Sequence, residues 1–359
     1  MNIINTNLGE RSYPIYISSE SLHTVGLYIK KTGNYNKVII ISDDNVATIY
    51  LKTVTDAIRK EKILCQSFII SPGEKSKSLS MADKIYSVML EANIDRKSAV
   101  IALGGGVVGD LAGFAASTFM RGIDFIQIPT SLLAQVDSSV GGKVAVNHPM
   151  GKNIIGTFYQ PKMVFIDVAV LQSLPTREFA SGMSEVIKYG IVMDSSFFSW
   201  LEEHLLLIKA LNSDMLSHIV TTSCHLKTYI VQEDEEEHGI RALLNFGHTI
   251  GHAIESATHY MRFTHGEGVA IGMIYAMKIA ASMGWIPTTD IKRVMLLLQA
   301  FNLPISFSGT PADELIALMR HDKKSINGDI IFILPTSIGI AKIYKQLDIE
   351  LLKTILNNG

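Results

Sequence analysis

Short, almost unbroken apolar runs alternate with amphipathic stretches through the first half of the chain, and this alternation restricts the fold more than any other feature. The runs are residues 37–42, 63–70, 98–103, 125–128 and 163–167, rich in Ile, Val and Phe. A strand apolar on both sides has no face for water, so it belongs in a sheet covered on both faces. Between the runs, residues 46–61 and 79–92 carry helical spacing, with Met81, Ile85, Val88 and Met89 three or four apart. Strand, helix, strand in this order predicts a parallel, doubly wound α/β fold. After Leu174 and Pro175 the pattern changes. Residues 179–301 are spaced almost wholly as helix, with two late strands at 330–334 and 338–343. The expected organisation is an N-terminal Rossmann-like parallel-sheet domain at 1–178 and a mainly α-helical C-terminal domain at 179–359, the two domains that a chain of 359 residues suggests.

Composition narrows the function. Hydrophobic residues make up 47% of the chain, enough for a core in each domain, and the net charge is −2 with no block of cations. That excludes a nucleic-acid or anionic-membrane binder, which needs clustered Lys and Arg, but leaves room for a small anionic substrate. Cys65 and Cys224 are the only cysteines, too few for a disulfide framework or a Cys-rich zinc site. No apolar run approaches the length of a membrane span. The first residues lack the charged start and apolar run of a signal peptide, so the expected location is the cytoplasm.

The apolar run ending at Leu103 leads straight into Gly104-Gly105-Gly106-Val107-Val108-Gly109-Asp110, and a helical pattern follows. Gly104, Gly106 and Gly109 fit G-x-G-x-x-G between a strand and a helix, where backbone N–H groups can meet a pyrophosphate. The turn follows a middle strand instead of the first. The acidic residue that usually holds the adenosine ribose therefore cannot be assigned by position.

A second constellation points to a metal. Glu185 lies in an apolar stretch containing Gly182 and Gly190, His248 and His252 are four apart, and His265 precedes Gly266 at a helix-to-helix connection. Residues four apart share a helix face. One carboxylate and two imidazoles are a catalytic zinc set that leaves positions open for water or substrate. Spacing leaves His252 open as either a ligand or an acid–base group. Isolated cations stand near small or apolar residues at Arg121, Lys143, Lys152, Lys188, Lys227, Arg241, Lys323 and Lys324. As a set they suit a substrate carrying phosphate and carboxylate.

These blocks resemble the 3-dehydroquinate synthase family. The matching segments are residues 72–79 (PGEKSKSL), 104–114 (GGGVVGDLAGF), 121–122, 127–130, 135–143, 147–153 (NHPMGKN), 185–190 (EVIKYG), 241–255, 265–268 (HGEG) and 322–324 (DKK). The resemblance implies conversion of 3-deoxy-D-arabino-heptulosonate 7-phosphate to 3-dehydroquinate and phosphate in the shikimate pathway, with NAD reduced and reoxidised in each turnover. It implies zinc, or cobalt in its place, on Glu185, His248 and His265. Asp43, Asn45, Glu74, Lys77, Gly105, Gly106, Val107, Asp110, Thr130, Ser131, Lys143, Lys152, Val170, Leu171, Gln172 and Ser173 would line the NAD site. Arg121, Asp137, Lys143, Lys188, Lys227, Arg241, Asn245, His252 and Lys323 would meet the substrate, with Arg121 contributed across a homodimer. Lys143, Lys188, Glu237, Arg241, Asn245 and His252 would be the catalytic set, Glu237 and His252 serving as acid–base groups. The family often has two threonines where this chain has Thr130 and Ser131, and serine keeps the hydroxyl. Other sugar-phosphate cyclases, a polyol or iron-type alcohol dehydrogenase of the same fold, and a non-catalytic NAD-binding or regulatory protein are the competing readings.

Overall fold

A computed structural model describes residues 1–321 and 330–357 of the chain. Lys323 and Lys324 lie outside the described residues. The chain forms two compact units: Met1–Leu174 with Leu216–Gln232, and Pro175–Met215 with Glu233–Gly359. The long helix Ser213–Glu233 thus returns to the first unit for most of its length. Its buried residues include Ile219, Val220, Cys224 and Val231. It is tied there by Gln232 Oε1, which accepts from Asn7 N at 2.7 Å, and by Thr221 Oγ1, which accepts from Asn2 Nδ2 at 3.1 Å. Uniform helical spacing along 179–301 does not disclose that return.

The strands of the first unit are β1 (Asn2–Thr6), β2 (Tyr13–Ser18), β3 (Lys37–Asp43), β4 (Leu64–Ile70), β5 (Ala99–Gly104), β6 (Asp124–Pro129), β7 (Lys143–His148), β8 (Gly151–Phe158) and β9 (Met163–Asp167). Seven of them form one sheet in the order β1-β2-β9-β6-β5-β3-β4. Only the β1–β2 pair is antiparallel. Each apolar run serves two cores by turns. Val38 and Ile40 of β3 pack with Ala99 and Ile101 of β5 against Val54, Ala57 and Ile58 of the helix Lys52–Lys60. Ile39 and Ile41 face the other side, with Val100 and Ala102, against the helices Leu79–Glu91 and Gly106–Thr118. The Rossmann-like fold expected from the sequence is the fold observed.

Three features differ from the reading by apolar runs. The β1–β2 hairpin extends the sheet by an antiparallel edge. Its outward positions are polar or half-exposed, so no continuous run marks it. Residues 143–158 form the two-stranded hairpin β7–β8. No residue of β8 is buried, half of them are exposed, and the strand carries Gly, Lys, Asn and Thr, which hides its strand character. β4 was expected to be covered on both faces; it is the other edge strand, and Leu64 is 65% exposed.

In the second unit the helix Thr176–Val192 is buried without interruption from Phe179 to Val192. A helix apolar nearly all round belongs in a core. Against it packs the helix His265–Ser282, which packs in turn on His248–Ala257. The late strands are β10 (Phe332–Ser337) and β11 (Ile340–Tyr344), an antiparallel hairpin anchored by Gly339 N donating to Ile191 O at 2.8 Å. Among the described residues no helix is long and apolar enough to cross a membrane.

One carboxylate ties the start of the first unit together. Asp167, at the end of β9 and 3% exposed, accepts from the backbone N–H groups of Glu20, Ser21, Leu22 and Ala169 at 2.7–3.0 Å. Asp167→Ala leaves four donors to find water, and hydrogen bonds to a charged group contribute about 1.5–3 kcal/mol each but are not additive. The expected loss of stability is about 2–4 kcal/mol, read as a lower urea midpoint.

Candidate active site

Most residues that the resemblance assigns to NAD stand along one edge of the sheet. Asp43 ends β3 and Asn45 follows it, Glu74 and Lys77 follow β4, Gly105 to Asp110 follow β5, Thr130 and Ser131 follow β6, and Val170 to Ser173 follow β9. These five strands are neighbours and parallel, so their carboxyl ends form a continuous rim, the place where doubly wound sheets bind ligands. The helix Gly106–Thr118 begins there with Gly105 as its N-cap. Close packing accounts for two of the glycines. A Cβ on Gly104 would lie 2.7 Å from Val108 Cγ2, and one on Gly109 would lie 2.9 Å from Gln127 Oε1.

Polar side chains at this rim hold one another. Lys77, 4% exposed, donates to the carboxylate of Asp110 and to Asn153 Oδ1. Glu74 Oε1 accepts from Asn147 Nδ2 at 2.8 Å and lies 3.7 Å from Lys152 Nζ. Asp43 caps its helix by accepting from Val46 N, and Ser131 Oγ accepts from Ala134 N. Val170 O and Ser173 Oγ both meet Tyr50 Oη, while the Leu171 side chain is buried in the core and Gln172 is exposed. Lys227 donates to the carboxylate and carbonyl of Asp137. Lys143 opens β7 with its side chain exposed.

Arg121 is not among these. It precedes β6, at the amino ends of the parallel strands, where Met120, Arg121 and Gly122 have φ of 50°, 68° and 113°. β6 has six residues, so its two ends are about 17–20 Å apart.

In the second unit, glycines let three backbones approach closely. A Cβ on Gly272 would lie 1.9 Å from Gly247 O, and one on Gly266 would lie 2.1 Å from Ser181 O. Gly266 N also donates to Ser181 Oγ at 3.0 Å. The start of the helix His265–Ser282 is thereby fixed one turn before Glu185 on the helix Thr176–Val192. His248 opens its own helix beside both.

Glu185 is 0% exposed. One of its oxygens, Oε2, accepts from Lys188 Nζ. The other, Oε1, has no hydrogen-bond partner among the described residues. It lies 3.6 Å from His248 Nε2 and 3.9 Å from His265 Nε2. The remote ring nitrogens are held: His248 Nδ1 meets Phe246 O at 3.0 Å, and His265 Nδ1 meets Glu255 Oε1 at 2.9 Å. A buried carboxylate oxygen without a donor costs free energy, and a cation between it and two imidazoles would remove that cost. The donor set, one hard oxygen and two imidazole nitrogens, suits zinc and related divalent ions. A second grouping, His252, Glu255 and His265, also has ligand atoms within 4.8 Å of one another. The His252 ring lies 5.4 Å from that of His248 and 5.8 Å from that of His265.

Beside this centre, Asn245 Nδ2 donates to Glu237 Oε1 at 2.7 Å. Arg241, 2% exposed, donates through its guanidinium to Glu235 O. Asp234 accepts from the N–H groups of His238, Gly239 and Arg241. Burial alone would raise its carboxyl; these three bonds hold it below the usual carboxylate range. Sequence reasoning assigned no role to Asp234, to Phe246 O or to Glu255. Glu255 carried a signal, since it is seven residues after His248 on the same helix face. Neither cysteine enters the chemistry: burial pushes the Cys224 thiol up to about 12 and that of Cys65 to about 11.

The chain matches the model for the N-terminal part of 3-dehydroquinate synthase over residues 67–181 and that for the C-terminal part over residues 182–325. The chain belongs to the 3-dehydroquinate synthase family. It is 48% identical over 348 residues to a 3-dehydroquinate synthase of Desulforamulus reducens, with 97% of each chain covered. It is 46% identical over 355 residues to that of Thermoanaerobacter pseudethanolicus, covering 99% of this chain and 100% of the relative. A crystal structure of 2-deoxy-scyllo-inosose synthase, with carbaglucose-6-phosphate, NAD+ and Co2+, superposes with a TM-score of 0.91 at 28% identity and covers 100% of both chains. The higher identity to the dehydroquinate synthases separates the two cyclase readings. The function expected from the motifs, a shikimate-pathway dehydroquinate synthase, agrees with the family.

Removing the negative charge at Glu185 tests the centre. Glu185→Gln is expected to keep the fold and to weaken divalent-metal binding by more than the roughly 10–100-fold that loss of an orienting partner costs. Metal analysis after dialysis reads this out, and normal metal content would exclude Glu185 as a ligand.

Proposed function

We propose that this chain closes the ring of 3-deoxy-D-arabino-heptulosonate 7-phosphate to give 3-dehydroquinate and phosphate, with NAD bound along the carboxyl rim of the sheet and a divalent metal held by Glu185, His248 and His265. The observation that carries this reading is the buried Glu185 Oε1, which has no hydrogen-bond partner among the described residues and faces two imidazole nitrogens. The inosose synthase of the same fold, with NAD+ and Co2+, supports the cofactor pair. NAD and the metal supply what side chains lack: a hydride taken from and returned to the substrate, and polarisation of its hydroxyl oxygens.

The protein's own groups bind, orient and move protons. Lys188 leans on Glu185, so its ammonium stays fixed beside the metal centre and offers a cation to the substrate. Arg241 presents a planar guanidinium suited to a carboxylate. Lys143 and Lys227 are the cations of the first unit that would hold the phosphate, Lys227 being held by Asp137. His252, with its ring beside both metal-side imidazoles, and Glu237, held by Asn245, are the acid–base pair. Phosphate leaves after the neighbouring C–H is acidified, and the substrate then closes on itself, so orientation of one flexible molecule is the main task. Arg121 stands at the opposite end of β6 from the nucleotide rim. This placement supports a role for Arg121 toward a partner's substrate in a homodimer, and a cytoplasmic location is part of the same reading.

Purified protein with NAD, zinc and the heptulosonate phosphate is expected to release phosphate and form dehydroquinate with no net NADH. Chelator should abolish this and added zinc or cobalt restore it. Accumulating NADH would instead favour an alcohol dehydrogenase, and absence of both products would refute the reading.

A further inference from the structure

We infer that Glu255 is a positioning residue: its carboxylate fixes the tautomer of His265, so that Nε2 presents a lone pair toward Glu185. The inference deepens the proposed metal centre and rests on it.

His248, His252 and Glu255 stand at i, i+4 and i+7 on the helix His248–Ala257, one stripe along a single face. The first residue of the stripe faces Glu185 directly. The last turns to the neighbouring helix, where Glu255 Oε1 lies 2.9 Å from His265 Nδ1. Glu255 is 3% exposed. An ionised carboxylate has no proton to give, so the ring must donate from Nδ1. A neutral imidazole protonated at Nδ1 carries its lone pair on Nε2, the atom 3.9 Å from Glu185 Oε1. Phe246 O does the same for His248, at 3.0 Å from Nδ1. The two imidazoles are thus set by two different acceptors, one main-chain and one side-chain.

The neighbouring helix leaves a place for this carboxylate. A Cβ on Gly268 would lie 3.2 Å from Glu255 Cγ and 3.3 Å from its Oε1. Glu255 could instead be read as a ligand together with His252 and His265. That arrangement would break the bond to Nδ1 and leave Glu185 Oε1 still without a partner among the described residues. Orientation through His265 accounts for both oxygens at once.

Glu255→Ala and Glu255→Gln are the variants to compare, with two readouts. Competition for zinc against a chromophoric chelator should show Glu255→Ala about 10–100-fold weaker than wild type. Glu255→Gln should fall between, because its amide oxygen can still accept from Nδ1. Long-range nitrogen–proton NMR on the metal-free protein, with His265 assigned through His265→Gln, should show the Nδ1–H tautomer in wild type and its loss in Glu255→Ala. Where the alanine variant fails to fold, Glu255→Gln carries both measurements. Unchanged zinc affinity in Glu255→Ala, or an Nε2–H tautomer in the metal-free wild type, overturns the inference. A wild-type protein that binds no divalent metal contradicts the proposed function instead, and the tautomer still decides the role of Glu255.

Discussion

Three backbones in the second unit approach each other more closely than side chains allow, and the centre depends on that approach. Gly272 meets Gly247 O, Gly251 meets Gly268 O, and Gly266 meets Ser181 O, each where a Cβ would fall 1.9–2.8 Å from a backbone oxygen. Packed interiors do not absorb such overlaps. The three helices are therefore held at fixed depth. The two histidine rings and Glu185 extend from the first turns and the middle of these helices into a shared buried space. Without the glycines the same three side chains would stand apart, and the chemistry of the donor set would not matter.

Close packing also explains how a charged group is kept in an apolar helix. Glu185 and Lys188 are three apart on a helix buried along its whole inner length, and each is at most 1% exposed. A buried ion pair is costly unless its remaining lone pairs are met. Lys188 meets one oxygen of Glu185 and leaves the other facing two imidazoles. Among the described residues nothing donates to that second oxygen, and a cation bound there would tie metal binding to stability.

Much of the fold is legible in the sequence. The alternating apolar runs define the doubly wound sheet because buried parallel strands need apolar residues on both faces, as Val38 to Ile41 show. Glu185, His248 and His265 stood out because charged and imidazole groups are rare in such apolar, glycine-bearing stretches. What was not legible follows from physics that spacing does not carry. β8 has no buried residue and mixes Gly, Lys, Asn and Thr with its apolar residues, so no continuous run betrays it. The return of Ser213–Glu233 to the first unit depends on tertiary contacts of an ordinary amphipathic helix. The ring positions of His252 and the contact of Glu255 with His265 arise between two helices, ten residues apart in the second case, and spacing does not disclose them.

The ligand set is the central claim, and anomalous diffraction from crystals grown with zinc or cobalt tests it most directly. One peak is expected, about 2.0–2.2 Å from Glu185 Oε1, His248 Nε2 and His265 Nε2, with His252 and Glu255 beyond bonding distance. A peak bonded to His252 and Glu255, or none near Glu185, would contradict the account.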